Sequence, residues 1–478
     1  MTRQLNNDNG LQADRQERQH LTAPTKNWRF SASYDSFVVE QTLVLRRKFS
    51  GKNRQLLVAA NRYAQFNRTA CTSTTENKNM NRLILFFLLL GNVAFGQTNT
   101  VDTLKVRQDF EKLITNLETN YVYYNTKDVD LDCIKSYYSQ KISSIKNSTE
   151  ALLFFEYILD EFYDSHLHLN TSNKFSYRLY SPVFVSTIGD KTEISSTWKD
   201  QIESGLNINI TNAEILTFNG INFNELIEKF PTHCQNKNNN EIRTWISNKI
   251  LSGRRNEPRI VTLKTKTGKI ETLDIDKIKI RKDTNLLSYK IIDNIGVIRL
   301  NNSLGETKTK EEFKQALNNL KETDGIILDL RNTVDGGNTS IAYPIAGHFT
   351  NKKMVFQKYK NEKEEFVDYI KPTKPQYNKP LIVLVGRWTG SVGEGLASGF
   401  DGTGIGKIVG TEMLKLAGAT KSYKFSNFDY GYQYPYIDVL HITDYPREKF
   451  VPKYKVVCND DNEDEFIKEG IRIINQQK

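Results

Sequence analysis

Cysteine is scarce in this chain. There are four in 478 residues (Cys71, Cys133, Cys234 and Cys458), and no two form a Cys-x-x-Cys pair. That spacing excludes a thiolate metal site or dithiol motif, and the odd number beyond residue 97 excludes a full disulfide framework. One pair could close after export, but the sequence does not say which; otherwise these are small core residues. An excess of one charge is missing from most of the chain too. The formal net charge is +10, yet residues 1–79 alone carry 13 Lys/Arg against 6 Asp/Glu. From Gln97 onward 52 basic residues face 50 acidic ones, with no dense basic run, so a nucleic-acid partner is not expected. No internal repeat is apparent, and long apolar runs are almost absent.

The one long apolar run is Leu83–Leu90, preceded by Met80-Asn81-Arg82 and followed by Gly91-Asn92-Val93-Ala94-Phe95-Gly96. A short charged start, an uncharged apolar stretch and small residues before a cut after Gly96 are the layout of a secretory signal peptide. The stretch is too short to span a bilayer comfortably. Because the leader starts at an internal Met80, synthesis is expected to begin there, leaving 1–79 as a non-native or disordered extension. The mature chain is then exported, to the periplasm or outside the cell. No cysteine follows the cut, so no stable membrane anchor is expected.

The exported part changes texture twice. Residues 97–175 read as a helical region, with Phe110, Leu113, Ile114 and Leu117 at helical spacing and a second run from Leu152 to Phe162. Asp164-Ser165-His166-Leu167-His168-Leu169 alternates as a strand would, starting at the serine. Residues 180–280 read as short strands and turns, including a hairpin over 259–275. In this stretch a strand ending in Asn219-Gly220 precedes a small helix, which resembles a PDZ-type module. Residues 287–457 alternate strands and helices, an α/β layering, and 458–478 form a tail. The Lys/Glu-rich stretch 351–364 reads as a solvated loop.

Two turns carry the chemistry. Leu381–Val385 is a buried strand that ends in Gly386-Arg387-Trp388-Thr389-Gly390-Ser391, ahead of a helical stretch. A serine at such a turn is placed for nucleophilic attack, with the following N–H groups aimed where an oxyanion would form. Earlier, Asp329-Leu330-Arg331-Asn332-Thr333-Val334-Asp335-Gly336-Gly337 puts two glycines after another buried strand. Each turn alone is common at strand ends. Together, in this order, they resemble the C-terminal processing (tail-specific) proteases, the S41 serine peptidases. That family carries an Asp-Leu-Arg-x-Asn-x-Gly-Gly element, the nucleophile on a later strand-to-helix turn, and a Val-Gly-x-x-Thr-like element, loosely matched by Val409-Gly410-Thr411-Glu412. This chain has one extra residue before its double glycine.

The resemblance implies a ClpP/crotonase-like catalytic core with a helical N-terminal region and a small PDZ-like domain. It implies Ser391 as nucleophile, with Val392 and Gly336 or Gly337 as oxyanion donors. The base differs between branches of the family. One uses a lysine, for which Lys415, 24 residues past Ser391, is the match, although the small residues that usually surround it are absent. The tricorn-like branch uses a Ser-His pair and a late glutamate, matched by Ser165-His166 and by Glu448 in Pro446-Arg447-Glu448-Lys449. The second arrangement is preferred, because histidine titrates in the range that activates a serine and a carboxylate can set its tautomer. Ser165 assists.

Other motifs fail. His166 and His168 would share a strand face, but no third ligand accompanies them, so neither metal nor cofactor is expected. Lys407 after Gly402, Gly404 and Gly406 is no phosphate loop, since Ile408 follows it rather than Ser or Thr. Thr389 replaces the first glycine of a Gly-x-Ser-x-Gly elbow. The resulting expectation is an exported serine endopeptidase acting on unfolded or C-terminally exposed polypeptides. The alternatives are a non-catalytic binding protein on the same scaffold and an acyl-group enzyme of crotonase type. Oligomeric state is not legible.

Overall fold

The computed structural model describes residues 100–127, 129–456 and 464–477. The 1–79 extension, the Met80–Gly96 leader and Cys458 lie outside the described residues.

Helices α1 (Thr103–Asn120), α2 (Leu131–Lys141) and α3 (Ser148–Asp160) come first. Each starts at a side-chain cap, Asp102, Asp130 and Asn147, which accepts one of the N–H groups that a helix start leaves unpaired. Phe110, Leu113, Ile114 and Leu117 fall on one buried face of α1, as their spacing requires. Cys133 of α2 is disulfide-bonded to Cys234, so these two are not simply small core residues.

The stretch beginning at Ser165 is a turn rather than a strand. Asp164 accepts from the His166 N–H with Oδ1 (2.9 Å) and from the Leu167 N–H with its carbonyl (3.1 Å). This local bonding competes with extension, and only β1 (His168–Leu169) is a strand.

A β-rich module follows. It contains β2 (Val183–Ile188), β3 (Lys191–Thr197), β4 (Ile202–Ser204), β5 (Glu214–Phe218), β6 (Ile221–Asn222), α4 (Phe223–Glu228), α5 (Asn240–Ser252), β7 (Ile260–Lys264), β8 (Ile270–Asp274) and β9 (Lys279–Ile280). Its antiparallel sheet runs β2-β3-β5-β7-β8, with β6 on β5, while β4 and β9 pair separately. Val185, Ile194, Phe223, Ile246 and Leu263 are among its core residues.

The α/β part begins at β10 (Leu287–Ile292) and β11 (Ile295–Leu300), followed by α6 (Thr309–Asn319), β12 (Ile326–Asp329) and α7 (Thr339–Gly347). Next is the hairpin β13 (Met354–Lys360) and β14 (Glu365–Ile370). It corrects the reading of 351–364 as a loop: Phe356 and Tyr359 are buried among the lysines and hold the strand. Then come β15 (Leu381–Val385), α8 (Val392–Thr403), β16 (Gly406–Gly410), β17 (Ala419–Lys424), β18 (Gly431–Leu440) and β19 (Tyr454–Lys455). The segment read as a tail ends in α9 (Glu465–Asn475), whose Ile467, Ile473 and Ile474 pack on Ile327, Ile382 and Leu384 of the central sheet.

That sheet is ordered β10-β11-β12-β15-β16-β19 and is parallel from β11 onward. Helices α6, α7 and α8 cover one face and α9 the other, so β12 and β15 are apolar throughout. In a sheet of this kind, sites form beyond the carboxyl ends of the strands. A second sheet, β1-β18-β13-β14 with β17 on β18, carries β1 beside β18.

Candidate active site

The register of β12 on β15 pairs Asp329 with Leu384, so both strands end at the same level and both turns leave from the same edge. The turns are stitched together. Thr333 N–H donates to Trp388 O (3.2 Å), and Gly390 N–H donates to Thr333 O (3.1 Å). Thr389 Oγ1 donates to Leu330 O (2.9 Å). Asp329-Leu330-Arg331 is a brace beneath them. Burial alone would raise Asp329, but Arg331 and Arg299 hold it well below the usual carboxylate range. Arg331 also pairs with Asp464, the cap of α9, at 2.7 Å.

Ser391 caps α8 with φ 47° and ψ −109°, a left-handed conformation that side chains rarely adopt. Such strain costs about 1–3 kcal/mol and persists only where the surroundings enforce it. Here they do. The Ser391 N–H donates to the Oε2 of Glu394 at 2.8 Å. Gly336, at φ 65°, lies so close that a Cβ there would meet Ser391 Cβ at 2.5 Å and Oγ at 3.1 Å. Only glycine fits. Gly336 N–H itself is turned back to Thr333 O at 3.0 Å, which leaves Gly337 and Val392 as the available candidates among the three expected oxyanion donors.

Glu394 was not singled out from the sequence. It is fully buried and accepts from Ser391 N–H, Lys415 N–H (2.8 Å) and Leu416 N–H (3.1 Å). Burial pushes it up to about 7, against Arg447 and those three donors. Arg447, also buried, donates to Leu416 O (2.6 Å) and Gly418 O (3.0 Å). Between these two carbonyls lies Ala417 O, which is 2.8 Å from His166 Nδ1. The segment 415–418 therefore joins the serine turn to the histidine through Glu394, Arg447 and one peptide carbonyl.

His166 is buried, and that burial lowers it to about 4 despite its bond to Ala417. It is neutral at pH 7. A carbonyl can only accept, so Nδ1 carries the proton and Nε2 keeps its lone pair, the tautomer a base requires. The backbone of His166 is held by Asp164, which also accepts from Tyr121 OH (2.7 Å) and pairs with Lys127 (3.2 Å).

Of the remaining candidates, Glu448 follows Arg447 and interacts electrostatically with Asp164 and Tyr121. Among the described residues no hydrogen bond joins His166 to Ser391 or to Glu448. Glu448 lies in the short turn Arg447–Lys449 with its Oε2 buried and unpartnered, and burial raises it above the usual carboxylate value. Ser165 is exposed. Lys415 also has a left-handed backbone (φ 64°), and its Nζ pairs with Glu412 at 3.1 Å while the side chain is 45% exposed. A signal for Glu394 was present, since Ser-x-x-Glu at a helix start is a capping-box pattern. Arg447 and Ala417 carried none, because their roles depend on where a distant loop lies.

The pattern of the family "Peptidase family S41" matches residues 294–441, and that of "Tricorn protease C1 domain" matches residues 102–163, the helices leading to His166. A carboxyl-terminal-processing protease of a Picosynechococcus strain is 30% identical over 163 residues. That match covers 32% of this chain and 38% of the relative, little more than a third of its length. Two solved structures share the fold. One, mature CPAF complexed with lactacystin, has a TM-score of 0.53 at 13% identity, covering 78% of this chain and 97% of that one. The other, mature CPAF, has a TM-score of 0.51 at 12% identity over 74% and 92%. The paired turns at the ends of β12 and β15 fall inside residues 294–441, the stretch of this chain that matches peptidase family S41.

Proposed function

We propose that this protein is an exported serine endopeptidase that cleaves polypeptides through an acyl-enzyme on Ser391. The observation that carries this reading is the strained Ser391 at the end of β15, held against Gly336 and tied by one short segment to a neutral, correctly protonated His166. Ser391 Oγ attacks the peptide carbonyl carbon and its proton passes to His166 Nε2. The tetrahedral oxyanion is held by the N–H groups of Val392 and Gly337; losing one such donor typically costs about 10²–10³ in rate. His166 returns the proton to the leaving amine as the C–N bond breaks. Water, deprotonated by the same Nε2, then releases the acyl group. Ala417 O maintains the tautomer, the place that sequence reading assigned to Glu448. Lys415 is the less suited candidate, since its ammonium pairs with Glu412 at the surface.

The finer architecture belongs to the same proposal: a ClpP/crotonase-like core, and a PDZ-like β-rich module in which α5 lies along β2. Export is supported by the Cys133–Cys234 disulfide, a bond at home in oxidising compartments. None of the helices among the described residues is long and apolar enough to cross a membrane. N-terminal sequencing of the exported protein should begin at Gln97, and peptides from 1–79 in it would refute the internal start.

A fluorophosphonate probe tests the chemistry. Ser391 should be labelled in the folded protein, and Ser391→Ala should abolish both labelling and hydrolysis. An unlabelled Ser391 would favour a non-catalytic binding protein on this scaffold. Activity retained in His166→Ala and lost in Lys415→Ala would reverse the choice of base.

A further inference from the structure

Among the described residues, strand β2 is an edge of its sheet, with β3 on one side and no strand on the other. Such an edge is where an extended peptide can add as one more strand. Here its outward groups already have partners on α5. Val185 N–H donates to Asn248 Oδ1 (2.9 Å), and Asn248 Nδ2 donates to Val185 O (2.8 Å). Two residues on, Thr187 N–H donates to Thr244 Oγ1 (2.9 Å), which donates back to Thr187 O (3.2 Å). Two further on, Gly189 N–H donates to Asn240 Oδ1 (2.9 Å), and Arg243 Nε donates to Gly189 O (2.8 Å).

The spacing explains why one helix can do this. Four helical residues advance about 6 Å and two strand residues about 6.6 Å, so positions 240, 244 and 248 keep step with 189, 187 and 185. Behind this row, Thr187 Oγ1 lies 2.7 Å from Ser247 Oγ and 2.9 Å from Thr192 Oγ1, and all three residues are buried. The row of α5 side chains that meets the β2 backbone is therefore polar and already hydrogen-bonded. The helix is also held from another side, where Lys249 pairs with buried Asp160 at 2.8 Å. An added strand would need about 4.8 Å beside β2, which means displacing α5 and breaking all six bonds.

We propose that α5, through Asn240, Arg243, Thr244 and Asn248, acts as a built-in substitute for a bound strand. This protein then selects its polypeptide substrates without capturing a chain terminus at the β2 edge. The inference rests on the polypeptide-cleaving reading for its meaning, but its test does not depend on catalysis.

Hydrogen exchange on full-length Ser391→Ala protein should show slow amides at Val185 and Thr187. Adding a fluorescein-labelled decapeptide with three apolar C-terminal residues and a free carboxylate should change neither amide and give no saturable anisotropy. In Thr244→Val/Asn248→Ala the same two amides should exchange at least about tenfold faster while β3 stays protected. Fast exchange at both positions in the parent protein, or saturable peptide binding that slows them, would overturn the proposal. In active protein, matched substrates ending in a carboxylate or an amide should be cleaved at rates within about twofold; a tenfold preference for the carboxylate also overturns it. Failure to cleave either substrate counts against the peptidase reading alone, because exchange and binding still decide this one.

Discussion

Replacing Glu394 by Gln separates the role of this carboxylate in the site from its role in the fold. Ionised Glu394 receives three N–H groups, from Ser391, Lys415 and Leu416. Glutamine keeps one acceptor oxygen and turns an NH₂ toward at least one of those donors. A buried donor left unpaired costs about 1–3 kcal/mol, which corresponds to roughly 5- to 150-fold in rate if it falls on the reactive arrangement. The fold has an offsetting gain. Moving a carboxyl from 4.5 to about 7 means that its ionised form weakens the folded state by about 3 kcal/mol at pH 8. Glutamine has no charge to bury, so the two terms largely cancel. Glu394→Gln should unfold in urea within about 2 kcal/mol of the parent at pH 8, yet react with a fluorophosphonate at least about tenfold more slowly.

The pH dependence sharpens this test. Between about pH 4.5 and 7 the folded protein keeps a proton on Glu394 that the unfolded chain releases. This group's stabilisation is thus complete below about 4.5 and is lost as pH rises through about 7. Activity should move the opposite way, since protonation takes up one of the two carboxylate oxygens that accept from the serine turn and the 415–416 amides. His166, lowered to about 4, is already neutral across that interval, so the acid limb near pH 7 reports Glu394. Labelling rates measured from pH 5 to 9 should show that limb in the parent and not in the variant. A Glu394→Gln protein with parental rates and an unchanged limb would refute the reasoning.

Three further outcomes follow from the same geometry. Gly336→Ala puts a methyl 2.5 Å from Ser391 Cβ, and a displacement of about 1 Å costs about 10² in rate. Labelling should therefore collapse while circular dichroism is unchanged; a fully reactive variant would place the serine elsewhere. Cys133→Ser/Cys234→Ser opens a loop with a sequence separation of 101, expected to cost about 4–5 kcal/mol in urea unfolding; an unchanged midpoint refutes that. Asp329→Asn leaves buried Arg331 and Arg299 short of their anion, at about 3–5 kcal/mol. Because the carboxyl of Asp329 is held low, this loss should be full above about pH 4 and shrink only in strong acid; a parental melting temperature at pH 7 would refute it.

Much of the local structure was readable because it depends on near neighbours. The run Leu381–Val385 is apolar at every position and is the fully buried strand β15. The hairpin read over 259–275 is the antiparallel pair β7–β8. The paired turns around Gly336 and Ser391 were recognisable from their residues and order. Reading failed where a few buried side chains outweighed a polar surrounding, as for β13 under Phe356 and Tyr359. It failed again at Ser165-His166, where Asp164 bonds replace the ladder that alternation implied.

What the sequence determined alone is the alternation of apolar strands and capped helices, the two glycine-bearing turns, and the scarcity of cysteine, each a property of residues close in the chain. Which groups meet across hundreds of residues was decided only by tertiary structure. Cys133 finds Cys234, the α5 side chains bond to the outer edge of β2, and His166 Nδ1 meets Ala417 O, 251 residues away. The reason is physical. A buried donor must find an acceptor, but any carbonyl or carboxylate will serve, and only the packing of β12, β15 and the 415–418 segment determines which one is within reach.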